Sequence, residues 1–400
     1  MNPILDARID SALRDAPPAA SGLHLMNWLR RRLPAELARE AAALAELRGR
    51  AEARFPTRPL PFLTRRGLAQ ASSEIVARHR AGEFARLAPG ATTLDATCGL
   101  GADSIALGLA GQRVVSADLD PATTELARAN LAHHGILPQV VRADAGRPAV
   151  RADLWLGDPD RRSEGRRLLD PEAWSPPLSR ALTIAAGHAG ACLKLAPALD
   201  PAALEAAEAE ALPEGLPRRR EWLSRSGELV EVTLWTGQLA GEGADRRRAV
   251  RLGPEGEVHR YGGEPREVPH LDAAEAAEVA WIGDPDPALL RAGLLGALAL
   301  EEDLAPIGPR LAYLGGARRP TSPFLRTWEV LGSAPLDTRR VRALLAEHGV
   351  GPVRVRKRGH PDPPETLERR LKGRGDRPGE LLVARLERGH RAYLVRAHRS

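Results

Sequence analysis

The sequence predicts an α/β protein whose centre is a doubly wound, mostly parallel, Rossmann-like sheet, with an N-terminal helical segment and a small α+β C-terminal domain. Between Ala91 and Asp160 short apolar runs alternate with helix-length amphipathic stretches, the signature of a strand–helix–strand chain. Four of those short runs end in acids, at Asp95, Asp118, Asp144 and Asp158. Parallel strands place their carboxyl ends on one sheet edge, where open α/β folds bind ligands.

Residues 1–88 read as helical. Leu25, Trp28, Leu29 and Leu33 follow helical spacing, Ala-rich charged stretches continue it, and the prolines from Pro56 to Pro61 break it before another helix over about 68–87. TTLDATCG is then a strand ending in a Gly-containing loop, ADSIALGLAG a helix and QRVVSADLD a second strand. PATTELARANLAHHG is a helix with Pro121 in its first turn and Gly135 at its end. PQVVRADA and ADLWLGDPD supply strands three and four. ELVEVTLWTG and RRRAVRLG suit an antiparallel pair that completes the sheet, and HRYGGEPREVPHLD reads as a loop. The C-terminal part offers the helix DTRRVRALLAEHG, the strand PVRVRKRG, the helix PPETLERRLKG and two closing strands, GELLVARL and RAYLVRA. Expected boundaries are therefore 1–88, 89–275 and 276–400.

Composition narrows the classes. A chain of 400 residues, 43% hydrophobic, exceeds one ordinary core. Two cysteines, Cys98 and Cys192, build neither a disulfide framework nor a Cys-rich zinc site, and the scattered histidines show no ligand spacing, so no metal is expected. Acids stand in the N-terminal MNPILDARIDSALRD where an export signal would be basic, and the longest apolar runs are broken by His188, Lys194 and Arg291. The expectation is a cytoplasmic protein without a membrane span. Residues 351–400 hold 14 Lys and Arg against 6 Asp and Glu, a surplus of 8 that exceeds the whole chain's +6 and leaves the rest at −2. Such a terminal basic block suits a polyanion, RNA among them, or a solvated basic surface.

The sharpest motif is Asp95-Ala96-Thr97-Cys98-Gly99-Leu100-Gly101-Ala102-Asp103 after the first strand. Gly99 and Gly101 allow a tight turn and close approach to a ligand, Thr97, Cys98 and Asp103 line the same loop, and Asp95 can accept hydrogen bonds from an amine. Asp118 stands where a carboxylate would take ribose hydroxyls. No third glycine completes a dinucleotide fingerprint, which argues against a nucleotide-dependent oxidoreductase.

At these residues the chain resembles the class I S-adenosylmethionine-dependent methyltransferases. The resemblance implies S-adenosylmethionine as cofactor, Asp118 at its ribose, Asp144 near its adenine, and Asp158-Pro159 as the catalytic motif. A closer resemblance, carried by Leu63-Thr64-Arg65-Arg66-Gly67-Leu68, Gln70-Ala71-Ser72-Ser73-Glu74, Asp158-Pro159-Asp160-Arg161-Arg162, Gly165-Arg166-Arg167, Asp170-Pro171-Glu172 and VRVRKRGHP, is to bacterial methyltransferases with a C-terminal THUMP-like domain. THUMP modules accompany RNA-modifying enzymes, so the resemblance implies methylation of structured RNA such as tRNA or rRNA.

The catalytic motif departs from the Asp/Asn-Pro-Pro-aromatic pattern of enzymes that methylate base amines, because Asp160 and Arg161 follow Pro159. Asp158 can orient or deprotonate a nucleophile, since methyl transfer needs mainly in-line positioning. Arg161 and Arg162 can hold a substrate phosphate or pair with Glu164, Asp170 or Glu172. Trp155 reads as core, and Trp174 as the candidate for stacking on a base. Arg354, Arg356, Lys357 and Arg358 offer a phosphate row on a C-terminal strand and its turn, while Ser72 and Ser73 either close over the cofactor or cap and pack a helix. A non-catalytic RNA-binding adaptor that retains the cofactor, and a methyltransferase for protein or a small molecule, stay open beside an RNA methyltransferase.

Overall fold

The computed structural model describes residues 2–17, 22–147, 150–163, 166–242, 247–309 and 313–398. The chain forms two compact units, Met1–Arg220 with Glu231–Asp245, and Glu221–Val230 with Arg246–Ser400. The N-terminal helices thus share a unit with most of the sheet, and the second unit takes Glu221–Val230 and then the chain from Arg246, thirty residues before the expected position 276.

In the first unit, helices α1 (Ala7–Arg14), α2 (Gly22–Arg30), α3 (Ala35–Ala51), α4 (Arg65–Gln70) and α5 (Glu74–Leu87) precede the first strand. The helical spacing read in the sequence is the buried stripe: Leu25, Leu29, Ala38, Ala41 and Leu44 share one apolar cluster with Leu126, Ala127 and Leu131. The N-terminal region belongs to the same core as the sheet's helices because neither face could be buried alone.

The strands are β1 (Thr92–Asp95), β2 (Arg113–Asp118), β3 (Val140–Arg142), β4 (Leu154–Gly157), β5 (Gly190–Leu195), β6 (Arg218–Arg225) and β7 (Glu228–Gly237). They run in the order β3-β2-β1-β4-β5-β7-β6. β1 pairs in parallel with both β2 and β4, β3 and β5 extend the sheet in parallel, and β7 joins β5 antiparallel. Helices α6 (Ala102–Leu109), α7 (Pro121–His133), α8 (Leu178–Ala186) and α9 (Pro201–Ala211) form the connections. Strand order reverses at β1, with β2 and β3 on one side and β4 and β5 on the other, so the carboxyl ends of β1 and β4 form a topological switch point. Asp95 pairs there with both Ser116 of β2 and Leu156 of β4.

The second unit adds β8 (Arg247–Leu252) and β9 (Val258–Gly263), paired antiparallel with each other. This corrects two expectations: RRRAVRLG is not the hairpin partner of ELVEVTLWTG, and HRYGG is strand. In the strand order β6 stands between β7 and β8, so RRRAVRLG does extend the sheet, and the turn from Gly253 to Glu257, with the Gly253 amide on the Glu257 carbonyl, closes its hairpin with β9. A seven-stranded sheet follows, made of β10 (Trp281–Pro285), β11 (Ala305–Pro306), β12 (Leu314–Gly316), β13 (Leu325–Pro335), β14 (Val350–Arg358), β15 (Arg377–Arg385) and β16 (His390–Ala397), in the order β11-β12-β10-β13-β16-β15-β14. Helices α10 (Pro287–Arg291) and α11 (Leu295–Glu301) fall between β10 and β11. Helices α12 (Thr338–Glu347) and α13 (Pro364–Leu371) bury Val341, Leu344, Leu345, Leu367 and Leu371 against Val353, Val355, Leu381 and Leu394 of the sheet. Alternate residues, Leu382, Ala384 and Tyr393, join Trp328 and Ile282 in a second cluster.

Candidate functional site

The loop after β1 is fixed by backbone bonds before any side chain is considered. The Ala96 amide donates to the Leu156 carbonyl at 2.9 Å, Cys98 to Ala117 at 2.8 Å, and Gly101 to Cys98 at 2.8 Å. Gly99 and Gly101 take φ of +52° and +87°, where a side chain is strained. A Cβ on Gly101 would also stand 2.8 Å from Leu131 Cδ1, whereas a Cβ on Gly99 would have no atom of the described residues beyond its chain neighbours within 4 Å. The glycine turn therefore presents an open face at Gly99, a cradle that a side chain would fill.

Asp118 lies beside that cradle. Its carboxylate accepts the Gly99 amide at 3.1 Å and the Asp120 amide at 3.0 Å, and burial pushes its pKa up despite those bonds. Leu119, next in the chain, is 59% exposed. An acid with acceptor capacity left, an open glycine turn and an exposed apolar side chain together suit an adenosyl group. Asp144 is exposed and caps its own turn through the Gly146 amide at 2.8 Å.

Asp95 is placed differently from the amine-binding role expected of it. Its carboxyl is buried and accepts the Ser104 hydroxyl at 2.6 Å, and Ser104 in turn accepts from Ser116 at 2.7 Å. Burial first, then the nearby Asp103 charge, push its pKa up to about 7. An acid raised in the folded state costs nothing below its unfolded value near 4, and its penalty is complete above about pH 7. Asp95→Asn is expected to match the wild type in melting temperature near pH 4 and to exceed it increasingly from there to pH 7. An unchanged difference across that range, by thermal melts, would remove this assignment. Cys98 is buried as well, and desolvation followed by the Asp95 and Asp118 charges raises its thiol well above the ordinary range. That leaves it without thiolate character.

At the end of β4, the Asp158 amide donates to Thr97 Oγ1 at 2.8 Å, tying the Asp158-Pro159 motif to the glycine loop. Asp158 Oδ2 accepts from the Lys194 ammonium of β5, which also donates to Ser72 Oγ at 3.0 Å and Asp103 Oδ2 at 3.3 Å. Asp103 then takes the Ser72 hydroxyl at 2.9 Å and the Arg80 guanidinium, and Arg80 reaches Glu231 of β7 at 2.5 Å. Five alternating charges thus run from Asp158 inward. Burial favours the neutral forms of Asp103 and Lys194, yet Asp103 is held low by Arg80 and Lys194, and Lys194 is held high by Asp158 and Asp103. Lys194, Arg80 and Glu231 escaped the sequence reading, although a lone Lys inside the apolar GACLKL was a visible signal.

Pro159 is buried, and Asp160 binds Arg66 at 3.0 Å and Gln70 at 3.3 Å on α4. Asp160, which stands where the usual second proline would, therefore anchors α4 to the motif. Arg161 Nη1 is buried with no hydrogen-bond partner among the described residues. The side chains of Arg162 and Arg167, and all of Glu164 and Gly165, lie outside the described residues. Trp155 is core, as read. Trp174 is 3% exposed, with its indole N–H on the Leu168 carbonyl at 3.3 Å, so its ring packs inward and offers no open face to a base.

In the second unit the expected phosphate row is largely neutralised. Arg356 pairs with Glu380, Arg358 with Asp284 at 2.6 Å, and Lys357 donates to the His360 carbonyl at 2.6 Å. Arg354 alone of the four is exposed. Exposed cations gather instead on α12 and around α13: Arg339, Arg340, Arg342, Arg369, Lys372 and Arg374. Among the described residues no group of His, Cys, Asp and Glu is arranged to hold a metal, and no helix is long and apolar enough to cross a membrane.

Comparison with known proteins agrees with this geometry. The THUMP domain-like family description matches residues 325–397. A crystal structure from Porphyromonas gingivalis W83, named as a methyltransferase, superposes with a TM-score of 0.71 over 94% of this chain and 98% of its own. At 18% identity it speaks for the fold alone. An uncharacterized S-adenosylmethionine-dependent methyltransferase of Mycobacterium tuberculosis, matched alike in strains CDC 1551 and H37Rv, is 34% identical over 84% of this chain and 87% of its own length. With a relative that similar over nearly the whole chain, and with the glycine turn, Asp118 and Asp158 gathered at the switch point of the sheet, this protein belongs to the S-adenosylmethionine-dependent methyltransferases.

Proposed function

We propose that the protein transfers the methyl group of S-adenosylmethionine to structured RNA, with the Gly99 turn and Asp118 holding the cofactor and Asp158 orienting the nucleophile. Asp95 and Cys98 then shape the loop from beneath, Asp144 lies at the rim, and Pro159 fixes the Asp158 backbone. The observation that carries the RNA assignment is the THUMP-like match joined to the exposed cations of α12 and α13, a surface for phosphates with few aromatics to read bases. This reading moves the expected RNA contact from β14 to the helices.

The test is incubation with radiolabelled S-adenosylmethionine and total RNA from a strain lacking the gene, beside Asp158→Ala. Label is expected in a discrete RNA species, lost in the variant and lowered steeply by salt. A protein that binds S-adenosylhomocysteine in calorimetry yet labels no RNA ends this assignment. The burial of Trp174 favours a second reading, a protein or small-molecule acceptor, which label in those fractions would establish.

A further inference from the structure

Only three of the chain's 58 cationic residues are lysines: Lys194, Lys357 and Lys372. One of them lies in β5, all six of whose residues are buried. An ammonium in such a place is costly unless each of its three N–H groups finds an acceptor. Each does, on Asp158, Ser72 and Asp103. These acceptors come from β4, the turn before α5, and α6, so the ammonium joins the catalytic motif to the helix that leaves the glycine loop. Further in, Arg80 of α5 and Glu231 of β7 close the row, and Asp95 at the end of β1 also feels the Lys194 charge. Solvent reaches this row mainly at one end: the Asp158 side chain is 27% exposed, against 12% or less for the other four.

We infer that Lys194 is a positioning residue for the reacting centre: it clamps one oxygen of Asp158 and leaves the second oxygen to accept a hydrogen bond from the methyl acceptor. The inference rests on the placement of Asp158 at the reacting centre in the function proposed above. It deepens that function by naming the acceptor's chemistry. An anionic, half-satisfied carboxylate selects an acceptor whose nucleophilic atom carries a hydrogen, an N–H or O–H, and disfavours one presenting only lone pairs. Arg66, on the neighbouring Asp160, is too exposed to replace the ammonium.

The scarcity of lysine makes the clamp directly observable. Full-length protein labelled with [13Cε]lysine has three lysine signals, and Lys194→Arg identifies the one of interest. That signal is expected to keep its ammonium shift beyond the pH of about 10.4 at which an ordinary lysine titrates, and Asp158→Asn is expected to displace it and bring its midpoint down. For catalysis, Lys194→Met is expected to lower kcat by about 10-fold or more while KM for the acceptor changes by less than about 3-fold, the pattern for an interaction used in the transition state. S-adenosylhomocysteine affinity should stay within about 2-fold, and Lys194→Arg should return most of kcat. A Lys194 signal indifferent to Asp158→Asn overturns the clamp, as does a Lys194→Met variant whose kcat matches the wild type. If Lys194→Met fails to fold, the Asp158→Asn spectrum decides alone. The spectrum needs no acceptor, so a wild-type protein that labels no RNA counts against the RNA assignment and leaves the clamp to its own measurement.

Discussion

Arg80→Met is expected to destabilise the first unit by about 3–5 kcal/mol, the range for removing one partner from a buried ion pair. The Arg80 side chain is 2% exposed and lies between Asp103 and Glu231, both nearly buried. A methionine fills much the same volume, so the loss would come mainly from Glu231, left without this cation, and partly from Asp103. Lys194 and Ser72 still serve Asp103, which leaves Glu231 as the more exposed casualty. Denaturant unfolding should show an earlier midpoint at unchanged slope. Adding Glu231→Gln to Arg80→Met should recover part of the loss, since an amide tolerates burial better than an unpaired charge. A single variant with wild-type midpoint would mean that the row is hydrated and that its charges are not dependent on one another. Lys194 would then lose the rigid background against which it holds Asp158.

The glycine loop and the acids at the strand ends were legible because both are local. A turn between a strand and a helix needs positive φ within a few residues, and Gly99 and Gly101 declare it in the sequence. The charged row is assembled from residues 72, 80, 103, 158, 194 and 231, on six separate segments. No spacing along the chain encodes such a meeting, and in the sequence Lys194 is merely an interruption of an apolar run. Strand pairing failed for a related reason: β-branched alternation identifies β7 and β8 as strands, but not that β6 comes between them in the sheet. Trp174 and the β14 arginines show the limit of reading side chains by type. Trp174 precedes Ser175-Pro176-Pro177, a context that reads as loop, yet Leu168 takes its N–H and the ring is enclosed. Arg356 and Arg358 alternate as a phosphate row would, but Glu380 and Asp284 arrive from other strands to neutralise them.

Asp118→Ala is expected to weaken S-adenosylmethionine binding about 100-fold, a loss of about 2.7 kcal/mol. Two effects act together in that figure. A carboxylate is lost where it would accept ribose hydroxyls, and hydrogen bonds to charged groups contribute about 1.5–3 kcal/mol each. The same substitution frees the Gly99 and Asp120 amides that Asp118 now holds, so the turn at the cradle also loses its brace. Asp118→Asn should fall between, because its one carbonyl oxygen can serve the Gly99 amide or a hydroxyl but not the full set. Burial raises the Asp118 pKa, so wild-type affinity should begin to fall, as pH is lowered, sooner than an ordinary carboxylate would dictate. Asp144→Ala is the internal contrast: Asp144 is exposed and bonded to its own turn, so its loss should cost well under 10-fold. Calorimetry with S-adenosylhomocysteine separates these cases without any methyl acceptor. Equal losses at Asp118 and Asp144 would show that the cofactor is gripped along the whole strand edge, whereas a loss confined to Asp118 would assign the grip to the single acid that also braces the glycine turn.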